Sequence, residues 1–318
     1  MAQLPRRDFL AAAVGAACLS ACASESPQGG RTLAEDPAQG DTPEAGKEAV
    51  IDFHQHTNYS GRGIEALIAH QRTMGVAQTV LLPAGSRYGL AADVLGNDSA
   101  VALAERLPGE YVYFANELPD VPETRAVLEK FLKMGAKGIG EQKFPVDCDS
   151  EAMQLVFSIA KEFDVPVLMH FQHETYNLGI ERFHKMVEKF PSVTFIGHAQ
   201  TWWGNIDKDH DQAVMYPKTP VKPGGITDRL LSGYENVYGD LSAGSGRNSM
   251  ERDEDHARGF LERHQDKLLW ASDCSDSIGT GPDCIGFNSK AAVRRLAPNE
   301  TAVRKILHDN AARLLKLG

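Results

Sequence analysis

Asp52-Phe53-His54-Gln55-His56 closes the first apolar run of the chain, and three later segments share its design. His170 ends Val165-Pro166-Val167-Leu168-Met169, His198 ends Phe195-Ile196-Gly197, and Asp273 follows Trp270-Ala271-Ser272. Each polar residue therefore stands at the C-terminal end of a run that reads as a β-strand. Strand side chains alternate with period two, so His54 and His56 project from one face about 7 Å apart. Two imidazoles at that spacing reach one cation, for which Zn–N bonds are about 2.0–2.1 Å. With His170 and Asp273 the donor set becomes nitrogen plus carboxylate, which zinc, manganese or iron accepts. The pattern implies a metal-dependent hydrolase.

Working outward, strand patterns fall at 49–54, 78–84, 111–117, 135–141, 165–170, 194–198, 236–241 and 268–273. Helical patterns lie between them, near 62–74, 89–106, 122–134, 150–163, 180–190, 223–233 and 249–265, with a terminal one near 300–316. Asp164-Val165-Pro166 ends one helix and opens a strand, and Pro122 with Thr124 starts another helix. Strands alternating with helices at this spacing run parallel, joined by right-handed crossovers. Eight such units predict a (β/α)₈ barrel, whose active site lies at the C-terminal strand ends. All four candidate ligands fall there.

The motif and its order resemble the amidohydrolase superfamily, most closely its amidohydrolase-related branch, over the whole chain after residue 48. The resemblance implies a divalent metal, Zn²⁺ foremost with Mn²⁺ or Fe²⁺ as alternatives, as one ion or two, and a small-molecule substrate. It implies hydrolysis of an amide, ester or lactone. The alternative is metal-dependent decarboxylation or lysis of an unsaturated or aromatic acid. A non-enzymatic solute-binding protein would have no use for an open metal position beside a poised aspartate.

On the fourth strand, Lys137, Ile139, Glu141 and Lys143 share the face expected to point into the barrel. Gly138 and Gly140 share the other, expected to meet a covering helix. In relatives this strand supplies a metal ligand, a carboxylated lysine or a glutamate. Glu141 is the candidate and Lys143 its alternative, and an ion pair at the barrel mouth is the structural reading of both. His198 either binds a second cation or polarises the substrate. Asp273 is the candidate general base as well as a ligand. Asp52, sharing the face of His54, is expected beneath the metal to orient an imidazole, and Asp240 is a further supporting carboxylate.

Substrate contacts are sought in the loops after the strands: Arg87 and Tyr88, Tyr176, Trp202 and Trp203, Arg247 and Asn248. The tryptophans are read as an apolar wall beside His198 or as plain packing. Arg87 or Arg247 would hold a carboxylate. Asp276 reads as a turn residue. His70, His184, His210, His256, His264 and His308 read as solvated or capping.

Residues 1–21 read as an export signal, with Arg6-Arg7-Asp8-Phe9-Leu10 resembling a twin-arginine motif and Leu19-Ser20-Ala21-Cys22 a lipoprotein box. The apolar stretch from Phe9 to Leu19 is too short to span a bilayer of about 30 Å. Residues 22–48, rich in Ser, Pro, Gly and acids, read as a flexible tether, and 49–318 as one domain. The expected location is outside the cytoplasmic membrane, held by a lipid on Cys22. The formal charge of −10 argues against nucleic-acid binding, which needs clustered Lys and Arg to neutralise phosphates. Cys148, Cys274 and Cys284 show no Cys-x-x-Cys spacing, and an oxidising compartment would permit a bridge between Cys274 and Cys284 without demanding one.

Overall fold

The structure is a computed structural model that describes residues 49–86 and 92–317. Eight strands follow one another: β1 (Ile51–Gln55), β2 (Gln78–Leu81), β3 (Tyr111–Tyr113), β4 (Ile139–Gln142), β5 (Val167–His170), β6 (Phe195–His198), β7 (Val237–Asp240) and β8 (Leu268–Leu269). Every ladder is parallel. The ladders run β1-β2-β3 and β4-β5-β6-β7-β8. A bridge between Ala115 and Ile139 joins β3 to β4. Phe53 N–H donates to Trp270 carbonyl at 3.3 Å and Asp273 N–H to His54 carbonyl at 2.9 Å, which joins β8 to β1. The sheet is thus closed, and the predicted (β/α)₈ barrel is what forms.

Helices surround it: α1 (Ile64–Thr73), α2 (Asn97–Arg106), α3 (Thr124–Lys133), α4 (Glu151–Phe163), α5 (His184–Lys189), α6 (Ala199–Gly204), α7 (Ile226–Gly233), α8 (Ala243–Glu251), α9 (Glu254–His264), α10 (Ile285–Leu296), α11 (Glu300–Arg304) and α12 (Asn310–Leu315). Local chemistry sets their ends. Ser150 Oγ accepts from Met153 N–H to cap α4, and Asp164 stops it in the left-handed conformation, φ 53°. The pattern read as one helix over 249–265 ends as α8 and α9. Asp253 interrupts it, its carboxylate capping α9 through His256 N–H. α6 and α10 were not anticipated from the sequence. Among the described residues no helix is long and apolar enough to cross a membrane.

Two cores follow from the alternation of side chains. Ile51, Phe53, Val80, Leu82, Phe114, Leu168, Ile196, Leu269 and Ala271 fill the barrel interior, together with Ala311 and Leu315 of α12. Val167, Met169, Phe195, Val237, Leu268 and Trp270, on the opposite faces of the strands, join the helix-side core. Parallel strands buried on both faces read as continuous apolar runs. Each fully buried Phe or Leu contributes about 1.5–3 kcal/mol relative to exposure.

β4 departs from the reading made above. A Cβ on Gly138 would sit 2.4 Å from the Phe114 ring, and one on Gly140 would sit 2.9 Å from the Leu168 carbonyl. Both neighbours bound the interior, so the glycine face points inward and Ile139 packs outward. Glu141 nevertheless reaches the barrel mouth, because the β4–β5 register shifts between Ile139 and Gln142.

Candidate metal centre

The strand ends bring His54, His56, Glu141, His170, His198 and Asp273 together, all buried except Asp273, whose side chain is 10% exposed. His54 Nε2 lies 3.1 Å from His56 Nε2, and both lie 3.7 Å from Glu141 Oε2. Asp273 Oδ1 is 3.4 Å from His56 Nε2 and 3.8 Å from His54 Nε2. On the other side of Glu141, Oε1 meets His170 Nδ1 in a short contact and lies 3.6 Å from His198 Nε2. The donors therefore form two lobes that share one carboxylate. His54 and His56 face one glutamate oxygen and His170 and His198 the other, with Asp273 reaching both sides, Oδ1 towards His54 and His56 and Oδ2 3.7 Å from His198 Nε2. Sequence reading placed His170 with His54, His56 and Asp273; the structure instead groups it with His198.

Hydrogen bonds behind the rings decide which nitrogen faces inward. Asp240 Oδ2 accepts from His54 Nδ1–H at 2.7 Å, and the Leu82 carbonyl accepts from His56 Nδ1–H at 2.6 Å. His198 Nδ1 lies 3.1 Å from Ser242 Oγ and 3.3 Å from Asp240 Oδ2. Nε2 of all three rings is left to converge on the carboxylates. Fixing an imidazole through its far nitrogen is how proteins orient metal ligands.

Electrostatics agree with that geometry. Burial pushes the Asp273 carboxyl up, but the His54 charge outweighs it and holds the group well below the usual carboxylate range. Burial likewise pushes Glu141 up, and the charges of His170 and Lys143 overcome it. His198 is pushed down to about 4 by burial. Burial opposes a proton on His54, yet Asp273 and Asp240 raise it well above the ordinary histidine value. A cation would replace that proton.

One further feature fits a divalent metal. Asp273 Oδ1 is buried and has no hydrogen-bond partner. An unpaired buried carboxylate oxygen is costly, and a cation held with His54, His56 and Glu141 would satisfy it. The donor set, imidazole and carboxylate without thiolate, suits zinc, manganese or iron. Backbone strain gathers at the same rim: Ala199, Ala243 and Asp273 hold φ of 81°, 59° and 40° just past β6, β7 and β8.

Other expected site residues lie elsewhere. Asp52 orients no imidazole. Its oxygens accept from Ser272 N–H and Oγ–H, from Gln71 Nε2–H of α1 and from His54 N–H. The cause is the β1 register shift between Asp52 and Gln55, which separates Asp52 from His54. The orienting carboxylate is Asp240. Trp202 is fully buried rather than a substrate wall. Gly197 has no side chain, and a Cβ there would sit 2.2 Å from the Trp202 ring, so the indole lies on the outer face of β6 against Phe171. Trp203 is buried too, donating to the Asp240 carbonyl at 2.8 Å. Arg247 pairs with Glu251 one turn along α8 at 2.7 Å. Lys143 is half-buried with Nζ 5.7 Å from the Tyr176 ring, and Tyr176 in turn meets His170 edge-on. Arg87, Tyr88 and Cys22 lie outside the described residues.

Three contributors went unrecognised in the sequence. Tyr59, three residues past His56, packs edge-on to that ring at 5.1 Å, and the Asp273 charge and burial both raise its phenol. Its signal was an aromatic residue in the loop after the motif. Ser242 backs His198, and Gln172 Oε1 lies 3.3 Å from His170 Nε2. Asp276 forms the expected turn, accepting from Ile278 and Gly279 N–H. His70 and His264 are buried rather than solvated. His264 Nε2 lies 2.7 Å from Asp228.

Comparison with known proteins agrees in fold. No curated protein matches the sequence. An uncharacterized TIM-barrel protein from Bordetella bronchiseptica superposes with a TM-score of 0.61 at 15% identity, over 84% of this chain and 98% of that one. A probable 2-pyrone-4,6-dicarboxylic acid hydrolase from Acinetobacter baumannii gives 0.60 at 12%, over 84% and 99%. 2,6-Dihydroxybenzoate decarboxylase from Rhizobium gives 0.56 at 14%, over 85% and 99%. The family model described as amidohydrolase matches residues 51–317, nearly the whole described barrel, and this chain belongs to that family.

Proposed function

We propose that the protein is a metal-dependent hydrolase that adds water across a C–N or C–O bond of an amide, ester or lactone. The observation that carries the reading is Glu141, whose two oxygens face two separate groups of histidines. A shared carboxylate between two cation lobes is the arrangement of two-metal hydrolytic sites. His54, His56, Glu141 and Asp273 would hold one divalent ion, and Glu141, His170 and His198 the other. When bound, the metal supplies Lewis acidity and lowers the pKa of water towards about 7.

The remaining roles belong to side chains. Asp273, kept ionised and with Oδ1 unpaired, accepts the proton of the attacking water and returns it to the leaving group. Tyr59, kept protonated beside Asp273, donates a hydrogen bond to the substrate oxygen that gains charge. His198, neutral near pH 7, keeps its lone pair directed at the carboxylates. Lys143 at the rim attracts an anionic group of the substrate.

A second reading keeps the same site for decarboxylation or lysis of an unsaturated or aromatic acid. The structural likeness to 2,6-dihydroxybenzoate decarboxylase supports it, and Lys143 serves its carboxylate equally well. Assay of protein loaded with Zn²⁺, and separately with Mn²⁺, discriminates the two. Panels of lactones, amides and esters are followed for acid release, and aromatic acids for CO₂. Ring opening or amide cleavage without CO₂ is expected. CO₂ release with no hydrolysis would transfer the assignment to the second reading.

A further inference from the structure

A second cluster of ligand-type side chains lies behind the loop that carries Asp273. Cys274 follows that residue directly, Cys284 precedes α10 and His70 lies in the last turn of α1. Cys274 is 2% exposed, and Cys284 and His70 are fully buried. The two sulfurs are 3.9 Å apart, both thiols are free, and Cys284 Sγ lies 3.4 Å from His70 Nε2. Asp276 Oδ2 is 3.8 Å from the same nitrogen.

We propose that Cys274, Cys284 and His70, closed by Asp276, form a second cation site that takes zinc. Tetrahedral zinc with Zn–S of about 2.3 Å and Zn–N of about 2.0–2.1 Å separates two sulfurs by about 3.8 Å and sulfur from nitrogen by about 3.5 Å. The observed 3.9 and 3.4 Å match both edges. Asp276, whose Oδ2 lies 3.8 Å from His70 Nε2, would have to move inward to complete the fourth position. A disulfide would instead require the sulfurs to approach to about 2.05 Å.

His70 supplies an independent argument. Nδ1 has no hydrogen-bond partner, and Nε2 faces only sulfur at bonding range, with the Asp276 oxygen beyond it. Coordination through Nε2 would replace that weak contact to sulfur with a metal–nitrogen bond, while Nδ1 stays unpaired. Cys284 is preorganised as well: its sulfur accepts from Phe287 N–H at the start of α10. Zinc displaces the thiol protons to solvent, leaving two thiolates, one imidazole and one carboxylate around a closed structural ion.

The site has a mechanical consequence. The loop past Asp273 already presses on α1 at Gly279, where φ is 84° and a Cβ would sit 2.5 Å from the His70 carbonyl. Arg62 ties the same loop through the Cys274 and Asp276 carbonyls at 2.8 Å. Zinc would lock that loop to α1 and α10, and so hold Asp273 at the barrel mouth.

Cobalt(II) titration of the reduced, metal-stripped full chain tests the proposal, because only sulfur ligation produces a thiolate-to-cobalt charge-transfer band. The band is expected in wild type and in His54→Ala, whose barrel centre is damaged, and lost in Cys274→Ser/Cys284→Ser together with one metal equivalent. Should that double variant fail to fold, X-ray absorption of the zinc-loaded wild type decides by the presence of two sulfur scatterers at about 2.3 Å. Absence of the band in wild type overturns the proposal, as does its survival in the double variant. A Cys274–Cys284 disulfide in the isolated chain, with no thiolate-bound cobalt after reduction, overturns it equally.

Discussion

Asp240 Oδ2 accepts a 2.7 Å hydrogen bond from His54 Nδ1–H, and both groups are fully buried. The bond holds the imidazole with Nε2 turned to Glu141 and Asp273, across a sequence separation of 186 residues. Loss of such a supporting carboxylate typically weakens metal affinity about 10–100-fold. Asp240→Asn is therefore expected to bind zinc that much more weakly while the barrel stays folded. Competition with a chromophoric chelator measures the affinity, and circular dichroism checks the fold. Unchanged affinity would show that His54 is oriented by something else.

Asp273→Asn keeps the shape of the site and removes the charge that takes the proton. A kcat reduction of about 10²–10⁴-fold is expected, with a smaller change in KM. Steady-state kinetics on the best hydrolytic substrate give the answer. Near-wild-type kcat would move the base to another residue, His198 first.

His198 sets a pH dependence in the metal-free protein. Its folded value of about 4 lies below the unfolded value of about 6.5. Between those limits the unfolded chain binds a proton that the folded chain refuses, so stability falls as pH drops from about 6.5 to 4 and levels off below. The loss from this one group is at most about 3.4 kcal/mol. Urea denaturation of the stripped protein at several pH values should show a shallower decline in His198→Asn. Equal slopes in the two proteins would refute the assignment.

Much of the barrel and its rim is legible in the sequence because both rest on local rules. Apolar runs alternating with helical patterns specify strand order, and His54, His56 and Asp273 stand out as polar residues at strand ends. Illegible features depend on backbone irregularity or distant partners. On β4 the glycines face inward against Phe114 and Leu168, and only the register shift between Ile139 and Gln142 brings Glu141 to the centre. The shift in β1 sends Asp52 to α1 and leaves its expected role to Asp240. Trp202 looks like a loop aromatic until Gly197 proves to be its floor. α10 begins with Gly286, Asn288 and Ser289, poor helix formers, and takes its cap from a cysteine. The approach of His70 to Cys284 spans 214 residues, which no local spacing announces.

Export and anchoring are a prediction from Cys22 and the paired arginines Arg6 and Arg7. Metabolic labelling with a clickable fatty acid is expected to mark the wild-type chain and place it in the membrane fraction. Cys22→Ser should lose both label and fractionation. Label retained in the variant would remove the anchor from the account.

Anomalous diffraction from crystals grown with zinc, recorded on both sides of the zinc edge, tests the two-lobed centre most directly. The account predicts one peak bounded by His54 Nε2, His56 Nε2, Glu141 and Asp273, and a second bounded by Glu141, His170 and His198. The peak on the His54 side should vanish in His54→Ala. An empty barrel mouth in fully zinc-loaded crystals would contradict the central claim, wherever else in the molecule zinc was found.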